Sequence, residues 1–437
     1  MCGFVACSNS NVDLEQIIEK ISYRGLPGYK GYKLYDTLWP KGVKMAHYSL
    51  PFVNLDPDIA IQPSENSTSL FVGEIFNYKE LGFQNDIECA WKTFWFGEGI
   101  RGFRKFDGFF TFVTILKGKL FGVTDHLGIK PLYYRTDVDA MASEPDVLKE
   151  FGEVTRNELF HSNVMKWGYD PTGGTPWNEI KQLPPGCTVS DGIVRKYWDW
   201  SMTPTSDLRT DLIESVRRRL GGQRDLSILL SGGLDSTIVY KIITEILGRE
   251  VTAIHVDNGE EDYAKLVAED MVEVKLEGVT DVDSVRIHQS PVDLGSTKPQ
   301  IAMARKLKEL GFHAVLTGDG ADELFGGYRR AKEYDSQASD VWCELPYYHL
   351  PKLDRTMMYS TIELRSPFLS PSIVRHALST PYDQRNGEKK VLKEAFKDVV
   401  PQKILMRDKH PLKTETIRTD PMQQRIINEN IWRELYG

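Results

Sequence analysis

The sequence predicts an α+β half followed by an α/β half, on three observations. From Met1 to about Trp200, short apolar runs of strand length (Leu70 to Val72, Phe109 to Leu116, Leu120 to Val123) are divided by turn residues, with helical interludes near Leu14 to Ile21 and Glu88 to Phe96. At Asp199 to Asp207 the stretch WSMTPTS reads as a linker ahead of the helical pattern Leu208 to Leu220. Beyond it strands alternate with helices: Leu226 to Leu230, Ile238 to Leu247, Val251 to Val256, Pro299 to Leu310 and Ala314 to Thr317. Such alternation builds a parallel sheet covered by helices, and ligands bind beyond the carboxyl ends of its strands. The 437 residues exceed one ordinary core, so the expected domains are 2–200 and 207–437. No internal repeat or low-complexity segment interrupts this order.

Composition narrows the function. Hydrophobic residues at 41% and charged residues at 27% suit a globular chain, and a formal charge of −8 argues against non-specific binding to nucleic acid. The expected partners are small molecules. No stretch reaches the roughly 18 apolar residues that cross a bilayer, and no basic region leads into an apolar run at the start, so a cytoplasmic protein without a membrane is expected. Five cysteines (2, 7, 89, 187 and 343) are scattered without a CxxC pair, which suits neither a disulfide framework nor a zinc site.

Cys2 stands apart. Removal of Met1 before so small a residue would leave a thiol beside its own α-amine, whose unperturbed pKa of roughly 7.7 to 8.0 lets it accept the thiol proton near neutrality. A cysteine at position 2 is incidental in isolation, but here other motifs follow in order. They are Met1 to Ala6, Tyr23-Arg24-Gly25, Gly73-Glu74-Ile75-Phe76-Asn77, Phe106-Asp107-Gly108-Phe109-Phe110, Asp125 to Tyr133 (DHLGIKPLY) and Ala142-Ser143-Glu144. Together they resemble the class II glutamine amidotransferase domain of asparagine synthetases. That resemblance implies an N-terminal-nucleophile hydrolase fold, an αββα sandwich that hydrolyses glutamine to release ammonia. Cys2 matches its nucleophile, Gly73 its backbone oxyanion donor, and Asp86, with Glu74, its glutamine-binding carboxylates. Two positions depart from the family. Ser49, in His47-Tyr48-Ser49-Leu50-Pro51, replaces the Arg that clamps the glutamine α-carboxylate, and Val72 replaces an Asn of the oxyanion hole. Losing one such donor costs on the order of a hundredfold to a thousandfold in turnover. Arg24 is a candidate replacement for the clamp, and a retained structural domain is the alternative to an active glutaminase.

In the second half, the strand Leu226 to Leu230 runs into Ser231-Gly232-Gly233-Leu234-Asp235-Ser236-Thr237 and then a helix. Glycines there allow close backbone approach, and exposed amides with a helix N-terminus cradle phosphate. This is not the Walker pattern; it resembles the pyrophosphate loop of ATP pyrophosphatases. Val315-Leu316-Thr317 then leads into Gly318-Asp319-Gly320-Ala321-Asp322, where Asp235 and Asp322 are the candidate Mg²⁺ ligands.

These elements, with Tyr359 to Leu369 (YSTIELRSPFL) and Lys389-Lys390-Val391-Leu392-Lys393, resemble the synthetase domain of asparagine synthetases, with a helical C-terminal part. The resemblance implies a carbon–nitrogen ligase with glutamine as amido donor. It would use ATP and Mg²⁺ to adenylate the aspartate side chain and amidate it with ammonia from glutamine, or with free ammonia. It places Asp319 as the residue that helps deprotonate ammonia, and Lys389 as the cation that stabilises pyrophosphate, with Arg355 near a second such position. Leu230, Ser231, Gly232, Gly233, Asp235, Ser236, Val256 and Gly318 would hold ATP. The Pro291 to Pro299 segment occupies the amino-acid recognition loop, but Gly295 stands where some members have Arg, and Lys298 is the nearby cation. Amidation or lactam closure on another carboxylate, and a catalytically idle sensor, are the competing readings. A homodimer is a further expectation from the family, as is a poorly ordered chain beyond Lys409.

Overall fold

The structure, a computed structural model, describes residues 3–8, 12–26, 30–33, 43–50, 61–64, 67–200, 204, 206–221, 225–257, 261–292, 295–328, 340–381, 389–407 and 420–437. Cys2, Asp293 and Thr414 therefore lie outside the described residues.

The first half holds two antiparallel sheets. One runs in the order Ile180–Gln182, Tyr133–Arg135, Ala140–Ala142, Gly3–Cys7, Lys44–Tyr48 and Lys30–Lys33, the other Ile193–Lys196, Cys187–Ser190, Lys119–Thr124, Gly108–Leu116, Ser67–Ile75 and Ile61–Ser64. Side chains alternate across a strand, and the cores follow that period. Phe4 and Ala6 share a core with Leu70, Val72 and Val113 between the sheets. Val5 and Cys7 face the opposite way, onto Ile17 and Ile18 of the Leu14–Glu19 helix. Phe71, Phe110 and Phe112 meet Cys89 and Ala90 of the Asp86–Phe96 helix on the far side of the second sheet. The layering is helix, sheet, sheet, helix, as the αββα expectation had it. Two hairpins turn at Lys117-Gly118 and Asp191-Gly192, all four at positive φ, the geometry whose twist matches paired strands.

The second half holds five parallel strands in the order Met271–Val274, Thr252–Val256, Ser227–Leu229, Ala314–Leu316 and Glu363–Arg365. The chain thus winds outward from Ser227–Leu229 to one edge and returns to start the other flank at Ala314–Leu316. A crevice opens beside the point where winding reverses. Helices Leu208–Arg219, Leu234–Lys241, Thr297–Glu309, Leu350–Met358 and Pro371–Ser379 cover this sheet. Glu363–Arg365, read in sequence only as part of a motif, is the fifth strand.

Beyond Lys409 the expectation of a poorly ordered tail is corrected in part. Pro421–Tyr436 is a helix, started by Pro421 and by Asp420, whose Oδ1 accepts from the Met422 N–H. Its Trp432 is buried against the first half, and Glu429 pairs with Arg156 at 2.7 Å and His161 at 2.8 Å. The apolar ring and the polar contacts of Glu429 anchor a segment whose sequence looks polar.

Buried charges join the halves. Arg24 pairs with Glu144 and with Asp354, each at 2.6 Å, and Lys130 binds the other oxygen of Asp354. Arg355 donates to Tyr133 Oη at 2.7 Å and to the His288 carbonyl. Burial alone would raise the Asp354 carboxyl, but Arg24 and Lys130 outweigh it and hold it at about 2. The carboxylate's folded value lies below its ordinary 3.8, so its stabilisation is complete above about pH 4 and fades as pH falls towards 2. Asp354→Ala, which leaves two cations buried without their shared carboxylate, is expected to cost about 3 to 5 kcal/mol in denaturant unfolding. An unchanged midpoint would show that the network contributes nothing.

Candidate active site

Ser227–Leu229 and Ala314–Leu316 lie side by side and parallel, so the loops at their carboxyl ends meet at the reversal point. This adjacency brings together motifs some 80 residues apart in sequence. Between them is a cavity of about 380 Å³. Leu230, Ser231, Gly233, Asp235, Ser236 and Val256 line it from one side, and Gly318, Asp319 and Asp322 from the other, with Lys389 beside them.

Glycines set the approach of the two loops. A Cβ on Gly318 would sit 2.7 Å from the Ser236 amide nitrogen and 2.8 Å from the Asp235 carbonyl carbon. Gly232 is left-handed at φ +69, and its carbonyl accepts from Arg407 Nη1 at 3.0 Å. A Cβ on Gly327 would strike Asp322 Oδ1 and the Lys389 side chain, so that glycine lets the two meet.

Lys389 itself sits at φ +58 and starts the Lys390–Ala395 helix. Its ammonium binds Asp235 Oδ2 and lies 2.6 Å from Asp322 Oδ1. Burial disfavours that charge, but Asp235 and then Asp322 outweigh it and hold the ammonium well above the usual lysine range. Two carboxylates are thereby within reach of one cation at the phosphate loop. Asp319 is held by Thr317 Oγ1, and Ser366 Oγ donates to its carbonyl at 2.5 Å. Burial raises the Asp319 carboxyl above its ordinary range, with Lys352 the largest opposing influence.

Several cavity residues were not assigned from sequence. Lys352 and His349 arrive from one helical segment, Glu323 and Tyr328 from the stretch after Asp322, and Arg407 from beyond the last motif. Arg407 stacks on the Tyr263 ring at 3.9 Å while reaching the phosphate loop. Lys393 also lines the cavity; the spacing of Lys389 and Lys393, one helical turn apart, held that signal.

Arg355 is a different case. It does not line this cavity; its guanidinium belongs to the network between the halves and borders a smaller cavity of about 50 Å³. Its place near pyrophosphate is accordingly corrected. The Leu230 backbone, expected to help hold ATP, is engaged: its N–H donates to Ile254 O at 2.8 Å and its carbonyl accepts from His255 Nδ1 at 2.7 Å.

In the first half, Gly73 sits at φ +124, and a Cβ there would lie 2.0 Å from the Phe109 carbonyl oxygen. Only glycine fits that backbone. Glu74 is 3.0 Å from Arg365, yet burial and the neighbouring Glu363, which shares Arg365, leave its carboxyl at about 8. Burial also lifts Asp86 to about 6, against the Ile87 N–H that bonds its Oδ1 at 2.9 Å. Among the described residues, the side chains at and near the departures are engaged elsewhere. Ser49 Oγ is bonded to His47 Nδ1 at 2.9 Å, Val72 is buried between the sheets, and Arg24 is committed to Glu144 and Asp354. The sequence-based idea that Arg24 replaces the clamp is therefore corrected.

Comparison with known proteins decides the family. A model described as asparagine synthase matches residues 207–344 and 339–431, and one described as a glutamine amidotransferase domain matches residues 1–198. The chain belongs to the asparagine synthase family. It is 25% identical to a probable glutamine-hydrolysing asparagine synthetase of Acanthamoeba polyphaga mimivirus, over 100% of this chain and 89% of that protein. It is 28% identical to asparagine synthetase B of Escherichia coli K12, over 84% of this chain and 73% of that protein. With asparagine synthetase 3 of Arabidopsis thaliana the identity is 26%, over 94% and 78%.

Gly318→Ala is expected to force the two loops apart. Binding of a non-hydrolysable ATP analogue by calorimetry should weaken at least about tenfold, because the added methyl meets backbone that cannot swing aside. Unaltered affinity would mean that the loop contact does not shape the site.

Proposed function

We propose that this enzyme makes asparagine from aspartate, ATP and ammonia, the ammonia coming from glutamine or from solution. The observation that carries the reading is the convergence of the Ser231–Ser236 loop, Asp319, Asp322 and Lys389 on one cavity. In this scheme residues 2–200 form the glutaminase unit and 207–437 the synthetase. The aspartate side-chain carboxylate attacks the α-phosphorus of ATP, pyrophosphate leaves, and ammonia attacks the acyl carbon of the resulting adenylate to release AMP. Lys389 is fixed where negative charge grows on the leaving pyrophosphate. Asp319 takes the proton that ammonia must lose. The carboxylates of Asp235 and Asp322 fit Mg²⁺, since both reach one cation position and both are hard oxygen donors. When bound, that ion would neutralise phosphate charge.

No helix among the described residues is long and apolar enough to cross a membrane. A cytoplasmic location and a homodimer belong to the proposal as the family's usual setting.

Ser49, Val72 and Arg24 weigh on the nitrogen source, since none of them offers glutamine the usual clamp or the missing oxyanion donor. Asparagine formation from aspartate, ATP and Mg²⁺ should proceed with labelled ammonium at least as fast as with amide-labelled glutamine. If neither donor gives asparagine, the assignment of aspartate falls. Where glutamine does serve, its ammonium needs Asp86 ionised. The kcat/KM for glutamine should then fall as pH drops through about 6, and Asp86→Asn should abolish glutamine use while sparing ammonium. A flat profile between pH 5 and 7 would remove Asp86 from that role.

A further inference from the structure

The acceptor amino acid needs a cation for its α-carboxylate, and the loop that sequence pointed to does not supply one. Lys298 turns away to Asp281, its Nζ 2.8 Å from Oδ1, and Gly295 has no side chain. Lys352, from the Leu350–Met358 helix, reaches the same loop instead. It is 5% exposed, lines the main cavity, and donates from Nζ to Ser296 Oγ at 2.7 Å. Its charge also acts on Asp319, so it stands near the residue assigned to ammonia.

Ser296 precedes the Thr297–Glu309 helix but makes no side-chain capping bond, so the N–H groups of that first turn lack a side-chain cap. Accepting from Lys352, its hydroxyl keeps a proton to donate. One turn further on, Gln300 lines the cavity, is 3% exposed, and has an Oε1 with no hydrogen-bond partner among the described residues. Buried amide oxygens are normally paired, so this one implies a donor that binding brings.

We propose that Lys352, Ser296 and Gln300 form the subsite for the α-amino-acid end of the acceptor. Lys352 and the Ser296 hydroxyl take the α-carboxylate, and Gln300 Oε1 accepts from the α-ammonium. The side-chain carboxylate is then left to face the phosphate loop. This assignment rests on the asparagine-forming reading above and adds a substrate-binding role for a lysine remote from the recognition loop in sequence.

The test is steady-state pyrophosphate release with saturating ammonium. Lys352→Met should raise the KM for aspartate about 10- to 100-fold, the usual cost of a lost charge-assisted hydrogen bond. The KM for ATP and the kcat at saturating aspartate should change little, and Lys352→Arg should recover much of the loss. Gln300→Leu should raise the aspartate KM in the same selective way, and it carries the test if the methionine variant does not fold. A parallel fall in kcat and rise in both KM values would assign Lys352 a structural role and overturn the subsite, as would an unchanged aspartate KM. Wild-type enzyme that releases no pyrophosphate with aspartate would overturn the reading of function itself, and the subsite with it.

Discussion

The Leu350–Met358 helix depends on charge that has been taken out of water. Asp354 faces Arg24 and Lys130 from the first half, and Arg355 reaches Tyr133 of that half and the His288 carbonyl of its own. Such pairs add little net stability against an apolar replacement of the same shape, because desolvation cancels most of the attraction. What they supply is register, since a slip that parted one ion from its partner would strand a buried charge. The same helix carries Lys352 into the synthetase cavity, three residues before Arg355 and so on a neighbouring side. Anchoring of the halves and placement of a cavity cation are therefore one constraint.

A second seam works similarly. Arg218 and Arg219, at the carboxyl end of the Leu208–Arg219 helix, meet Asp107 at 3.1 Å and 3.0 Å. Arg365 runs from the edge strand of the parallel sheet to Glu74. Its own carbonyl accepts from the Thr317 N–H at 3.1 Å, at the head of the loop that bears Asp319. The carboxylate matched to glutamine binding and the one matched to ammonia deprotonation are thus separated by one arginine and one strand pairing.

Much of this was legible in sequence where chemistry is local. Both loops beside the cavity were found because apolar strands run directly into glycine and carboxylate residues, and the strands Gly108–Leu116 and Lys119–Thr124 showed as the apolar runs Phe109 to Leu116 and Leu120 to Val123, bounded by turn residues. What escaped was long-range. Arg355 looked like a phosphate cation, and only folding shows its guanidinium spent on the first half. Lys352 and Arg407 had no assigned motif; Lys352 is brought to the cavity by the Leu350–Met358 helix and Arg407 by the chain just after the Gln402–Leu405 helix. The Pro421–Tyr436 helix was missed because its burial rests on Trp432 and on contacts of Glu429 with Arg156 and His161, which lie 273 and 268 residues away in sequence, so no local period reveals them.

The glutamine end shows how far a retained fold constrains its chemistry. Gly73 must remain glycine for steric reasons alone, since Phe109 O occupies the space of any Cβ. Its presence is therefore weak evidence for catalysis. Val72 is more informative, because an Asn there would turn its amide into the apolar layer with Leu70 and Phe4 or else force the strand to adjust. The valine stabilises that layer and forgoes a donor. Glu74 and Asp86 are buried carboxylates raised by burial, to about 8 and about 6, and Glu74 is offset by Arg365 while Asp86 accepts from the Ile87 N–H. At the positions of the clamp and of the oxyanion donor, local packing and hydrogen bonding account for the residues present: Val72 completes the apolar layer and Ser49 is bonded to His47.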